Sequence, residues 1–434
     1  MLYDCTNSDA AGRYSHRRFA LPALAVAAFG FVGVYGAASA QAANQAFDNF
    51  LLQSCAAGAT GAFATRCAQA PAGLSGDSES SLNPSQSLSN NELSISRAKA
   101  LSKESQSRLE EGREKQAGRS VGRAAGETAE LGPISMFLNV DHEIFDFNRI
   151  LDLDREKGYD GWKSGFQIGG DMPLSDRLIV GALIGIDHSE AQLDRDLSGR
   201  NFIPFDSEGG NRSTGAFLNV YSSYSVTDNM YVEGTLGYGY SSYTFDRNAV
   251  FQETTRVTPQ TNVSTSGDTH GNSINASIGA GYDIYSGALS IGPYVRLNFS
   301  RSKIEGYTEE DRSNSGLNMN VGDDTATSLT SVLGMQMSYA HSADWGVFVP
   351  QLRFEYEHEH RDDARAITTS FVADATGSSF TVLTDDPDKN YFNVGASLLF
   401  ILPNGWMPFV DAELLMSYKD LDRQRFTFGL RKEL

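Results

Sequence analysis

Three cysteines, three tryptophans and twelve prolines in 434 residues leave little for a disulfide-dense scaffold, a cysteine-ligated metal centre or a proline-rich linker protein. Basic residues are also short: 35 Lys and Arg stand against 54 Asp and Glu, a net charge of −19, so a nucleic-acid partner would lack the cationic surface it needs. The first 131 residues hold 12 basic and 12 acidic side chains, so the whole excess lies beyond Leu131. H-E-x-x-H, G-x-S-x-G and P-loop motifs are absent, and no cofactor is implied. What is plentiful is Gly, at 42, with 25 Phe and 18 Tyr, a mixture that favours strands and turns over helices.

Near the start, Arg13, His16, Arg17 and Arg18 precede the apolar run Phe19 to Gly36, and Ala38-Ser39-Ala40 follows before Gln41. That order describes a secretory signal peptide over residues 1–40, cut between Ala40 and Gln41. The alternative is an uncleaved anchor, since Phe19 to Ala40 is just long enough to span a bilayer. Cleavage removes Cys5 and leaves Cys55 and Cys67 in a compartment that permits oxidation, where a single disulfide is expected. Two free thiols or half a metal site are the other readings, but no third and fourth ligand lies nearby.

Residues 41–90 are rich in Ser and Ala, poor in aromatics, and unable to build a large core. Within 91–131, Asn91 to Gln116 reads as a helix capped by Ser89 or Asn90, with Ile95, Ala98, Leu101 and Leu109 as loosely spaced apolar positions. Such a helix is polar on nearly every side. It either bridges through solvent or lies in a hydrated channel, and about 25 residues at 1.5 Å each reach ~38 Å, enough to cross a bilayer core of ~30 Å. A periplasmic linker helix fits the sequence equally well.

After Pro133 the pattern turns to strict alternation. In Leu289 to Phe299 every second side chain is apolar, and Ile274, Ala276, Ile278, Ala280 and Tyr282 alternate with Asn275, Ser277, Gly279, Gly281 and Asp283. Twelve such strands are centred near Leu138, Phe166, Leu183, Leu218, Leu236, Ile278, Val295, Met335, Phe354, Leu398, Val410 and Phe428. Short connections at Pro173–Asp176, Val226–Asn229, Tyr285–Ala288, Ser342–Trp345 and Pro403–Gly405 alternate with long polar ones at Arg149–Asp160, Asp187–Arg212, Arg247–Asn272, Lys303–Thr327 and His360–Asn390, and the last, Lys419–Gln424, is shorter. A soluble sandwich shows no such parity; an outer-membrane barrel of a Gram-negative bacterium does, with long loops outside and the C-terminus in the periplasm. An even strand count closes the sheet, and closure leaves no peptide group unpaired in lipid. The fold expected is an all-β membrane protein: a twelve-stranded antiparallel outer-membrane β-barrel over 134–434, preceded by a small helical N-terminal region.

Val410, Ala412, Leu414, Met416 and Tyr418 alternate, and Phe426-Thr427-Phe428-Gly429-Leu430-Arg431-Lys432-Glu433-Leu434 ends the chain within a strand. With the run Trp345 to His360, the strand Tyr391 to Phe400, the Pro403-Asn404-Gly405 turn and the Gly429-Leu430-Arg431 ending, this resembles the autotransporter β-domain family over roughly Ile134 to Leu434. The resemblance implies a twelve-stranded barrel inserted by the barrel-assembly machinery, with Phe426, Phe428, Leu430 and Leu434 as the C-terminal insertion signal. It further implies a helix in the pore joined to an exported N-terminal passenger, as in type V secretion. Two features depart from the family: Leu434 stands where Phe is usual, and the passenger-like segment, Gln41 to about Asn90, is short.

If the alternation is in register, Lys163, Asp171, Glu233, Asp283, Arg296, Arg353, Glu355, Glu357, Asp411, Glu413 and Arg431 line the lumen, where Arg97, Lys99, Lys103 and Arg108 of the helix could pair with the carboxylates. His358 and His360 share one face of a strand while Glu357 and Glu359 point oppositely, which reads as a polar strand end and not a metal site. Gly76-Asp77-Ser78 resembles a lipase nucleophile motif but follows no apolar strand and has no base beside it. Asn90-Asn91 resembles a self-cleavage junction, and helix capping explains it as well. The function expected is a non-enzymatic barrel that anchors or exports a short N-terminal domain. The alternatives are a porin-like channel or a surface-loop adhesin barrel, with the N-terminal region periplasmic. Its expected partners are the lipid bilayer and the assembly machinery, and no nucleic acid; the sequence names no extracellular partner.

Overall fold

A computed structural model describes residues 53–56, 64, 89–116, 134–148, 157–194, 202–206, 209–253, 261–361, 363–375, 377–384 and 386–433. Alternating apolar and polar residues build twelve long antiparallel strands. These are β1 (Ser135–Phe147), β2 (Tyr159–Ser175), β3 (Leu178–Leu193), β4 (Gly210–Ser225), β5 (Met230–Glu253), β6 (Thr261–Tyr282), β7 (Leu289–Ile304), β8 (Asp324–Tyr339), β9 (Gly346–Glu359), β10 (Asn390–Ile401), β11 (Trp406–Met416) and β12 (Leu421–Glu433). Each pairs with the next, and β12 returns to β1 with Ser135 opposite Glu433 and Phe147 opposite Leu421, which closes the barrel.

The two faces of each strand differ as lipid differs from water. On β3, Ile184 is 57% exposed while the adjacent Leu183 is 1% exposed, because a one-residue step reverses the side chain. Leu138, Ile168, Ile186, Leu218, Ile278, Val295, Leu333 and Phe354 continue the outward apolar belt, while Asn139, Gln167, Asp187, Asn219, Asn275, Arg296, Asn298 and Glu355 face inward. Trp345 and Trp406 sit outward near the short-turn end, and Tyr238, Tyr240 and Tyr356 near the other, as interfacial aromatics do.

All twelve expected strand centres fall within strands, but the expected loops are too long. The span Arg247–Asn272 is mostly strand, because β5 continues to Glu253 and β6 begins at Thr261, and β3 likewise runs to Leu193. A membrane crossing takes only ~9–11 residues of strand. Strands of 24 and 22 residues therefore stand well clear of the bilayer, where the outward face turns polar and the inward one carries buried apolar side chains such as Tyr243 and Phe245. Two other loops fold on themselves: Tyr307–Thr308, Met319–Val321, Ala366–Phe371 and Phe380–Leu383 form a separate small sheet around the buried Leu317, Met319, Ile367 and Phe371. Arg247 of β5 ties that sheet to the barrel, donating from Nε to Glu309 at 2.8 Å and from Nη2 to the Leu317 carbonyl at 2.8 Å.

Helix α1 (Ser89–Gln116) begins two residues before the expected start, and its 28 residues make it ~42 Å long. Among the described residues no helix is long and apolar enough to cross a membrane, a statement that leaves strand crossings untouched.

Candidate functional site

The partners of α1 come from around the whole wall. Its side chains meet Asn139 of β1, Asp171 of β2, Asp187 of β3, Asn219 of β4, Glu233 of β5, Arg296 of β7, Glu355 of β9, Tyr391 of β10, Glu413 of β11 and Arg431 of β12. Only a helix inside the barrel can touch all of these inward-facing groups. It therefore fills the lumen instead of leaving it as an open channel.

One face of α1 is apolar enough to pack. Leu109, fully buried, joins Phe137, Ile179, Leu183, Phe217 and Tyr221 of β1, β3 and β4 in one cluster. The rest is held by charge. Arg97 pairs with Asp187, and Lys99 lies 3.6 Å from Glu359 and donates to the Tyr391 hydroxyl at 2.7 Å. Lys103 sits among Glu355, Glu413 and Glu357 at 2.9, 3.1 and 3.5 Å. Arg108 donates to Asp171 through Nη2 and Nε at 2.6 and 3.0 Å and lies 4.5 Å from the centre of the Phe137 ring. Arg113, which sequence reasoning missed, pairs with Glu233 at 3.1 Å and Asp283 at 3.7 Å and stacks 3.4 Å from the Tyr231 ring centre. Its signal was the spacing of cations along one polar helix: Arg113 lies five residues beyond Arg108, still within the reach of the lumen wall.

The other charges expected in the lumen are placed among these partners or beside them. Lys163 donates to Glu143 at 3.1 Å, Arg296 pairs with Glu355 at 2.8 Å, and Arg353 contacts Glu413 at 2.9 Å and Asp411 at 3.8 Å. Arg431 lies over the Phe409 ring at 4.2 Å. Taking so many ions from water costs several kcal/mol each, which their mutual attraction only offsets, so the network contributes register and orientation more than net stability. Leaving any member without its partner would be costly for the same reason.

The ends of α1 fix its direction. Ser96 meets Glu143 and Arg423 near the long-loop end of β1 and β12, whereas Arg113 meets Tyr231 and Asp283 beside the short turns. The helix thus runs from the long-loop end to the short-turn end. Its N-terminal residue, Ser89, therefore lies toward the long-loop end.

His358 and His360 stack edge to face at 4.8 Å on the outward surface and bind Asn390 and Ser331, while Glu357 and Glu359 are buried on the other face. Among the described residues no group of three or more metal-ligating side chains converges. Phe426, Phe428 and Leu430 belong to the outward face of β12, and Leu434 lies outside the described residues. Cys55 is disulfide-bonded. Cys67, the Ala40–Gln41 junction and Gly76-Asp77-Ser78 lie outside the described residues.

A closed barrel with an apolar girdle, a charged lumen and a helix inside it is a transmembrane β-barrel with an internal plug. Residues 144–413 match the family Autotransporter beta-domain, and the chain belongs to it. It is therefore an outer-membrane barrel of the Gram-negative type. The translocator domain of autotransporter NalP from Neisseria meningitidis superposes with a TM-score of 0.50 at 13% identity, over 74% of this chain and 96% of that one, a likeness of fold alone. Esterase EstA of Pseudomonas aeruginosa and Esterase EstA of Pseudomonas putida are each 30% identical over 119 residues, 27% of this chain and 18% of either relative. The chain spans less than a fifth of the length of those curated relatives.

Proposed function

We propose that this barrel is a non-enzymatic autotransporter translocator that exports a short N-terminal domain, residues 41–90, through its lumen and then holds it at the cell surface with α1 as the plug. The single observation carrying this reading is the direction of α1, whose N-terminus opens on the long-loop side. A porin would need a free lumen, and a periplasmic N-terminal domain would need the helix to enter from the short-turn end. On this reading the long loops are extracellular, the barrel-assembly machinery inserts the chain through its β12 signal, and Cys55 pairs with Cys67 to close the small exported domain.

An epitope tag placed directly after Gln41 tests the export step. Protease added to intact producing cells, with a periplasmic protein as the control for closed membranes, should remove the tag. A tag protected until lysis would leave the domain in the periplasm and overturn the reading.

The partial likeness to EstA raises an enzymatic alternative, but it covers only 18% of that relative, and Gly76-Asp77-Ser78 follows no apolar strand in the sequence. Purified full-length protein is expected to hydrolyse short-chain nitrophenyl esters no faster than its Ser78→Ala variant. A Ser78-dependent rate would make it an esterase.

A further inference from the structure

Packing around α1 is uneven. Leu109 seals it against β1, β3 and β4, but toward β8–β12 a crevice of about 30 Å³ stays open between the helix and the wall. Four cations line it, Lys103, Arg353, Arg425 and Arg431, against only two acids, Glu104 and Asp411. Both acids have other partners: Glu104 accepts from the Asn139 amide, and Asp411 lies 3.8 Å from Arg353. Lys103 is likewise occupied by its three glutamates.

Arg425 differs from the rest. It is 8% exposed, its Nε is buried without an acceptor, and Glu413, Asp141, Glu143 and Asp411 act on it from beyond ion-pair distance. The Nε of Arg353, at the wall of the same crevice, also lacks an acceptor. A buried guanidinium N–H without an acceptor is costly, and the groups that relieve such a cost are anions or water. One water needs ~10–15 Å³ of such space, so the crevice has room for roughly two waters or one small ion, and none for an organic acid or a phosphate ester. The unsatisfied Nε groups of Arg425 and Arg353 in its lining favour the ion.

We propose that this crevice is a binding site for one small monovalent inorganic anion of the halide class, held by Arg425 and Arg353 and bridging the wall to Lys103 of α1. The anion would complete the helix seat on the side where apolar packing does not reach. This site stands whether or not the N-terminal domain is exported.

Crystals of the detergent-solubilised full-length protein grown in sodium bromide, with data collected at the bromine absorption edge, test it directly. An anomalous peak within hydrogen-bond reach of the Arg425 guanidinium is expected; a crevice that holds only water gives no peak there and overturns the proposal. In solution, melting at constant ionic strength should shift upward in sodium chloride relative to sodium gluconate, whose anion is too large to enter. Arg425→Met should abolish that difference while the barrel keeps its heat-modifiable gel mobility. An equal chloride effect in Arg425→Met, or none in the unmodified protein, contradicts the site. If Arg425→Met does not fold, the bromide experiment on the unmodified protein decides alone.

Discussion

Three carboxylates, Glu355, Glu357 and Glu413, share the Lys103 ammonium. Removing one partner of a buried charge pair typically costs ~3–5 kcal/mol. Arg296 still pairs with Glu355, and Arg353 with Glu413, so Lys103→Met should fall near the lower end, ~3 kcal/mol. Denaturant unfolding in detergent checks it, and a midpoint unchanged from the parent protein would mean that the cluster rearranges without cost. Outside the membrane, Asp311 makes a second residue-level case. Partial burial pushes its carboxyl up, but N–H and O–H donors from Gly316, Ser315 and Ser313 outweigh that and hold it below its usual 3.8. A depressed carboxyl contributes stability above its unfolded value that is lost as pH falls through the folded one. The turn at Asp311–Gly316 should therefore keep its amide protection at pH 5 and begin to lose it only as pH falls below about 3.8. Hydrogen exchange at the Gly316 amide reads this, and Asp311→Asn should remove the acid-dependent part.

At the level of single elements, inward aromatic rings lie over glycines of the neighbouring strand. A Cβ on Gly181 of β3 would fall 2.2 Å from the Tyr221 ring, whose hydroxyl donates to Asp171 at 3.4 Å beside the Arg108 seat. Gly181→Ala should therefore cost ~1–3 kcal/mol by overpacking and loosen α1. Gly234→Ala, whose Cβ would come no nearer than 3.5 Å to any neighbour, should be close to neutral. The folded fraction on unheated gels separates the two, and equal behaviour would contradict the packing account. The strands were legible in the sequence because lipid and water impose opposite demands on successive residues, as at Leu183 and Ile184. The strand extensions to Glu253 and Leu193 were not, since beyond the bilayer the outward face turns polar and the apolar side chains face inward, as Leu193 does beside Phe147. Nor was the small sheet around Leu317 and Met319, which arises from contacts between two loops far apart in sequence. For α1, the lack of a broad apolar stripe pointed as readily to a linker as to a lumen; it took the positions of Asp171, Asp187 and Glu233 around the wall to select one.

For the whole molecule, the acidic excess beyond Leu131 meets the cations of α1 inside the barrel, so helix and barrel are electrostatic complements. Buried pairs are little screened by salt. The plug should therefore remain seated across physiological ionic strength and leave only through disruption of its partners. Conductance across a planar lipid bilayer measures this most directly, comparing the intact protein with one lacking Ser89–Gln116. The barrel should be nearly closed when α1 is present and show a large, stable ohmic conductance when it is removed. Equal conductance in both would mean that α1 does not occlude the lumen, and would contradict the plugged translocator at its centre.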